Sequence, residues 1–270
     1  VGTNINSNGS FPSGQNATTL QTALDGKVDT LVTLAADTVA DILGTDTNTN
    51  FPNANVVMGT DGDDTITGTS GSDLIASFGG TDTVNALAGN DKILGGAGVD
   101  TLNGGDDNDH LYGYAGADTL NGNAGDDLIY GGKDNDTIDG DAGDDSLYGE
   151  AGDDTLWGSN GNDTIDGGED NDTLFGGAGN DSLTGGTGAD VFQFTATSGS
   201  DVITDLSAID SIELYYRAED NHTNADLGLV SGVLTWNTSD SNNVSIDLSN
   251  TITSSDFSEV DNLITFVEIV

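Results

Sequence analysis

The sequence contains no cysteine, which excludes disulfide bridges and thiol chemistry. Basic residues are nearly as scarce: Lys27, Lys92, Lys133 and Arg217 stand against 47 acidic residues, for a formal net charge of −43. Such a surface repels phosphate backbones and anionic headgroups, so nucleic acid and acidic lipid are excluded as direct electrostatic partners. No apolar run approaches the roughly 20 residues of a membrane-spanning helix, so membrane insertion is not expected, and no N-terminal signal peptide is visible. The only histidines are His110, at an outward repeat position, and His222, in a polar loop, and no histidine-pair zinc site or serine triad can be assembled around them. Aspartate is abundant, but no pocket-forming insertion interrupts the stretch that holds most of it. The expectation is a protein without enzymatic activity.

What the sequence does have is glycine, aspartate and a strict period. From Gly59 to Gln193 it reads as fifteen consecutive nine-residue units without insertion or deletion, GGAGVDTLN (95–103) and GGAGNDSLT (176–184) being the cleanest. Position six is Asp in all fifteen, and position eight is apolar in all fifteen, from Ile66 through Leu102, Leu120 and Leu147 to Phe192. Thirteen units begin with Gly, Ser77 and Ala86 being the exceptions, and twelve have Gly at position four. A repeat of this kind precedes any reading of individual elements. Each unit is expected to pair a glycine-rich turn with a three-residue strand whose middle side chain points inward.

The fold this implies is all-β: a parallel β-roll of eighteen residues per coil, each strand stacked about 4.8 Å from the strand one coil away. Fifteen units would give a roll of roughly 35 Å by that spacing, with the position-eight side chains as a thin core between two sheets. The turns then bring carbonyl oxygens and a carboxylate together once per coil, which is repulsive without a cation. Hard oxygen donors, flexible geometry and net anionic charge favour Ca²⁺ over Mg²⁺ or zinc.

These residues resemble the glycine- and aspartate-rich nonapeptide of the RTX family, Gly-Gly-x-Gly-x-Asp-x-U-x, over half of the chain. The resemblance implies a calcium-loaded β-roll on a protein exported by a type I secretion system, with an uncleaved C-terminal signal, and hence a secreted or cell-surface location in a Gram-negative-type bacterium. It also implies that each ion lies between turns of successive coils, held by backbone carbonyls and position-six side chains. Carried onto this sequence, the ligands are Asp64, Asp73, Asp82, Asp91, Asp100, Asp109, Asp118, Asp127, Asp136, Asp145, Asp154, Asp163, Asp172, Asp181 and Asp190. Fifteen turns, each paired with the turn eighteen residues on, leave at most thirteen sites. Thirteen Ca²⁺ ions would bring a charge close to the −27 of the repeat region, so binding and folding become one reaction. At position four Asp107, Asp134 and Asp170 replace Gly; Asp is among the few residues that accept positive φ, and those turns are expected to survive. SFGGTD (77–82) and ALAGND (86–91) lack Gly at positions one and two, and weaker calcium occupancy is expected there.

Three segments follow. Residues 1–55 read as a polar arm, an amphipathic helix and a linker: Leu20, Leu24, Val28, Leu31, Ala35, Val39 and Ile42 recur at steps of three and four, Thr18 and Gln21 have capping-box spacing, and Gly44 is a stop. The helix is comparable in length to the roll and could lie along one of its sheets. Residues 56–193 are the roll. Residues 194–270 are a β cap: Val202 and Ile203, then Ile212, Leu214 and Tyr216, read as strands closing the roll, 233–248 as a hairpin, and Leu263 to Val270 as an apolar strand that also resembles an RTX export signal.

The eighteen-residue period separates two faces. One carries Thr65, Thr83, Thr101, Thr119, Thr137, Thr155 and Thr173 at position seven, expected to be structural; the other carries Leu94, Tyr112, Tyr130 and Tyr148 at position nine, a row that points to a covered surface and to self-association. The leading functional expectation is a secreted, calcium-binding structural subunit of a surface layer, matrix or filament. The C-terminal export and folding module of a larger RTX enzyme, toxin or adhesin, and a carbohydrate- or ice-binding solenoid, are the alternatives.

Overall fold

A computed structural model describes residues 55–195, 198–217, 227–230, 233–236, 244–247 and 264–269, with side chains as far as residue 215. The chain divides into two compact units, Val1–Pro52 and Asn53–Val270. The arm, helix and linker expected over 1–55 lie outside the described residues, apart from Asn55. Every regular element among the described residues is a strand.

Two sheets share the repeats in strict alternation, as the eighteen-residue period requires. One has twelve strands, running from Asn55–Thr60 at one edge to Leu227–Val230 at the other; the second has ten, from Thr65–Thr67 to Ile264–Ile269. Within the roll all pairing is parallel and in register by eighteen: Leu111 faces Ile129 in the first sheet and Leu102 faces Leu120 in the second. The position-eight side chains from Ile75 to Phe192 are buried between the sheets and form one continuous core with Phe194, Ile203, Leu206, Ile212 and Leu214.

Most strands of the repeat are six residues long rather than three, as in Thr101–Asp106, His110–Ala115 and Thr119–Ala124. Alternation continues through the next unit's first glycine, so Leu102 and Gly104 are buried while Thr101 and Asn103 are half-buried. A glycine leaves no apolar mark in the sequence, which is why the second half of each strand is not visible there. Its burial has a steric cause. A Cβ at Gly104 would overlap Asp109 Oδ2 and the Gly122 carbonyl, and a Cβ at Gly95 would lie 2.8 Å from Asp100 Oδ2. The core is therefore one large side chain thick, and each one matters. We expect Leu120→Ala, which opens a void between Leu102 and Ile138, to destabilise the calcium-loaded roll by about 2–5 kcal/mol, measured by thermal or denaturant unfolding in calcium.

The outer faces differ as expected. The threonines from Thr65 to Thr173 stand in register along the second sheet, hereafter the threonine sheet. Beside them Asn121 donates from Nδ2 to Asn103 Oδ1 at 2.9 Å, and Asn103 donates to the Val84 carbonyl. On the tyrosine sheet, Tyr112, Tyr130 and Tyr148 stack face to face, with centroids 5.2 and 4.7 Å apart and planes within 11°. Lys92 Nζ lies 5.1 Å from the Tyr112 centroid. Ring faces that meet each other along the roll are already in contact within the chain, and such pairs contribute about 0.5–1.5 kcal/mol each beyond burial.

Beyond the repeats the expected closure takes a different form. Ser200–Ile203 and Ser211–Arg217 do not cross the open end; they continue both sheets in parallel register, at a spacing of twenty residues instead of eighteen. The tyrosine sheet then ends in an antiparallel meander of Val244–Asp247, Val233–Trp236 and Leu227–Val230, which contains the expected 233–248 hairpin pairing. The threonine sheet ends on Ile264–Ile269, parallel to Ser211–Arg217. The turn of the hairpin and His222 lie outside the described residues.

Candidate metal centre

Each turn follows a strand at position three and returns the chain at position seven, and from Phe78 on the units carry left-handed residues at positions two and four. At position four Gly98, Gly116, Gly125 and Gly143 have φ of 127° to 148°, and Asp107, Asp134 and Asp170 adopt 73° to 76°. The three substitutions therefore keep the turn. Position two is left-handed as well: Phe78, Leu87, Tyr114, Asn123, Asp141, Glu150 and Ser159 have φ between 69° and 87°. A non-glycine residue there costs about 1–2 kcal/mol, and the repetition of that cost shows that the turn geometry outweighs local preference. SFGGTD and ALAGND hold the same shape through Phe78 and Leu87, with Ser77 Oγ donating to the Gly95 carbonyl at 2.8 Å.

The turns align the position-six aspartates into two ladders, one along each edge of the roll. The backbone N–H of each aspartate donates to Oδ1 of the aspartate one coil on: Asp100 to Asp118 at 2.8 Å, Asp118 to Asp136 at 2.8 Å, and on the other edge Asp109 to Asp127 and Asp127 to Asp145, each at 2.7 Å. Every position-six aspartate of the repeats takes part, and all from Asp73 to Asp190 are buried. Each carboxylate thus reaches back toward the coil before it.

One oxygen of each carboxylate is used in this way; the other is not. Oδ2 of Asp82, Asp91, Asp100, Asp109, Asp118, Asp127, Asp136, Asp145, Asp154, Asp163, Asp172 and Asp181, and also of Asp201, is buried and meets no hydrogen-bond donor of the protein. A buried, unpartnered carboxylate oxygen is costly unless a cation or a proton neutralises it. From Asp91 to Asp181, and at Asp201, burial pushes the carboxyls up in pKa, against the lowering effect of the backbone N–H each accepts, and neighbouring carboxylates add to the rise. Asp109 and Asp136 reach about 8, Asp91, Asp118, Asp127, Asp163 and Asp172 about 7, and Asp145 and Asp154 about 6.

The donor set fits a hard divalent cation: it is oxygen only, anionic and repeated along both edges. Among the described residues no three His, Cys, Asp or Glu side chains converge on one point, so the remaining ligands of an ion here would be backbone carbonyls, as the resemblance implies. The first turn of each ladder is different. Asp64 Oδ2 accepts from Thr60 N–H at 2.6 Å and Thr60 Oγ at 2.9 Å, and Asp73 Oδ2 accepts from Thr69 N–H at 2.6 Å and Thr69 Oγ at 3.1 Å. Threonine at position two closes the carboxylate with protein donors where the repeat has no earlier coil to face.

Two aspartates continue the ladders beyond the repeats and were not identifiable from its strict period. Asp181 N–H donates to Asp201 Oδ1 at 3.0 Å, and Asp190 N–H donates to Asp210 Oδ1 at 3.1 Å. The signal that finds them is a nonapeptide frame displaced by two residues: ATSGSDVIT (196–204) and DLSAIDSIE (205–213) keep Asp at position six and Ile at position eight.

The chain matches the RTX calcium-binding nonapeptide repeat in overlapping segments, from 52–77 to 157–192, that together cover residues 52–192. No curated protein matches the chain in sequence. Among solved structures it is similar to the extracellular lipase LipA from Serratia marcescens, with 17% sequence identity and a TM-score of 0.36, over 73% of this chain and 45% of the lipase. The chain thus spans less than half the length of that protein. With the repeat matched over more than half its length and built as a parallel β-roll, this chain belongs to the family of RTX calcium-binding nonapeptide repeat proteins.

Proposed function

We propose that this chain is a structural subunit that is exported unfolded and is set into a rigid roll by extracellular calcium. The observation that carries the reading is the double row of buried carboxylate oxygens without a protein donor. Asp82 to Asp190 are the side-chain ligands in this reading, with Asp64 and Asp73 at the ends of the rows where Thr60 and Thr69 already serve the carboxylates. Bound calcium would supply the positive charge that lets successive turns stack, and the chain's own contribution is to hold the carboxylates and carbonyls in register. Cytosolic calcium lies far below the roughly 10⁻⁴–10⁻³ M range of extracellular calcium modules, so the charge of −43 keeps the chain open for a type I secretion machinery until it reaches the outside. The half-buried tyrosine row along one sheet supports association of copies through that face once the roll has formed.

The test is the nature of the external species. Antibody detection on intact cells and in medium is expected to find a calcium-dependent surface or matrix protein that chelator releases, and intact mass measurement gives the length of the external polypeptide. A much longer external polypeptide carrying this sequence at its C-terminus would replace the structural reading with that of an export and folding module of a larger protein.

A further inference from the structure

We propose that the cation row runs one turn past the repeat, to a site built by Asp181 and Asp201, and that it is bounded at the other end by the threonine-closed turns of Asp64 and Asp73. This inference rests on the calcium reading above. Residues 198–201 lie outside the matched repeat, which ends at 192, yet they reproduce each hydrogen bond of a repeat turn. Gly179 N–H donates to the Ser198 carbonyl at 3.3 Å as Gly161 N–H does to that of Ala178, and Val202 N–H donates to the Asp181 carbonyl at 2.8 Å as Ser182 N–H does to that of Asp163. Ser200 N–H donates to Asn180 Oδ1, and Asp181 N–H donates to Asp201 Oδ1. Gly199 is left-handed, with φ of 94°, and pairs with Gly179. The two extra residues of this coil fall before Gly199, so the turn itself is undisturbed.

The second observation is the carboxylate. Asp201 is 1% exposed and its Oδ2 meets no protein donor, the same state as in the twelve repeat aspartates. The neighbouring end of the other ladder behaves oppositely. Asp210 Oδ2 accepts from Ser207 N–H at 2.6 Å, so that ladder is closed by the protein as it is at Thr60 and Thr69. Of the four terminal or non-repeat positions, Asp64, Asp73 and Asp210 have the carboxylate satisfied by protein donors, and Asp201 is left open for a divalent cation. Such an ion would tie Ser200–Ile203, the strand from which the C-terminal meander continues, to the end of the roll.

The experiment counts calcium ions on the full chain by native mass spectrometry in calcium, for wild type, Asp201→Asn and Asp210→Asn. Asp210→Asn disturbs the same end of the roll without removing an open carboxylate. The expected result is one ion fewer for Asp201→Asn and an unchanged count for Asp210→Asn. Hydrogen exchange of 198–204 should also lose its protection by calcium in Asp201→Asn alone. An unchanged count in Asp201→Asn overturns the inference, and so does an equal loss in both variants, which would assign the missing ion to fraying. A wild-type chain that binds no calcium would instead overturn the calcium reading on which this rests.

Discussion

In a chelator at neutral pH the far-UV circular dichroism of this chain should lose its β signal and regain it on addition of millimolar calcium. The buried carboxylates also fix how each state responds to acid. In the metal-free roll Asp109 and Asp136 titrate near 8 and Asp91, Asp118, Asp127, Asp163 and Asp172 near 7, because burial disfavours their charged form. In the unfolded chain the same groups titrate near the ordinary 3.8. Folded values above unfolded values mean that the folded state holds more protons between about pH 4 and 8, so metal-free stability is greatest below pH 4 and is lost as pH rises through that window. With calcium bound the carboxylates stay ionised and protons compete with the metal, so the slope reverses. The expected result is two opposed pH profiles: in chelator the roll forms on acidification, and in calcium it weakens. A β spectrum at neutral pH that ignores calcium, or metal-free stability that rises with pH, would sink this account.

The second large effect is expected at position four of the turn. Gly161 has φ of 147°, and a Cβ there would fall inside the Gly143 carbonyl of the preceding coil, backbone that cannot rotate away. Gly161→Ala must both leave that φ and separate two coils, at about 2–5 kcal/mol from left-handed strain and overpacking together. The calcium needed for half-folding should rise accordingly. Asp134→Gly at an equivalent position is the control: Asp134 already sits at φ 73°, and replacing it should change stability by less than about 1 kcal/mol. Equal effects of the two substitutions would show that close coil stacking is not what the glycines serve.

Much of this architecture is legible in the sequence because the repeat is strict. An apolar residue at position eight of every unit and a period of nine give two sheets, parallel register and distinct threonine and tyrosine faces, all of which the structure contains. What the sequence hides has physical reasons. The inner half of each strand is a glycine such as Gly104, buried because of what its missing side chain would strike, so hydrophobic alternation does not record it. The left-handed position two admits Leu87 and Phe78, whose identity gives no hint of φ. Asp201 and Asp210 escape a strict period through a shift of two residues, although their hydrogen bonds are those of the repeat. Thr60 and Thr69 read as ordinary strand-flanking residues until their donors are seen on Asp64 and Asp73.

Strict alternation of units between the two sheets has a consequence for how such a chain can change length over generations. Loss or gain of eighteen residues removes or inserts a whole coil, leaving threonine beside threonine and tyrosine beside tyrosine on either side of the join. Loss of nine residues keeps every aspartate and every core side chain in place, yet it exchanges the two faces for everything downstream. Loss of 113–121, for example, would place Tyr130 and Tyr148 in the column of Asn103, and the row of stacked rings would be cut from Tyr112. Gene-level slippage by a single unit is thus silent to the core and disruptive to the surface, so a lineage that depends on either face is held to even steps.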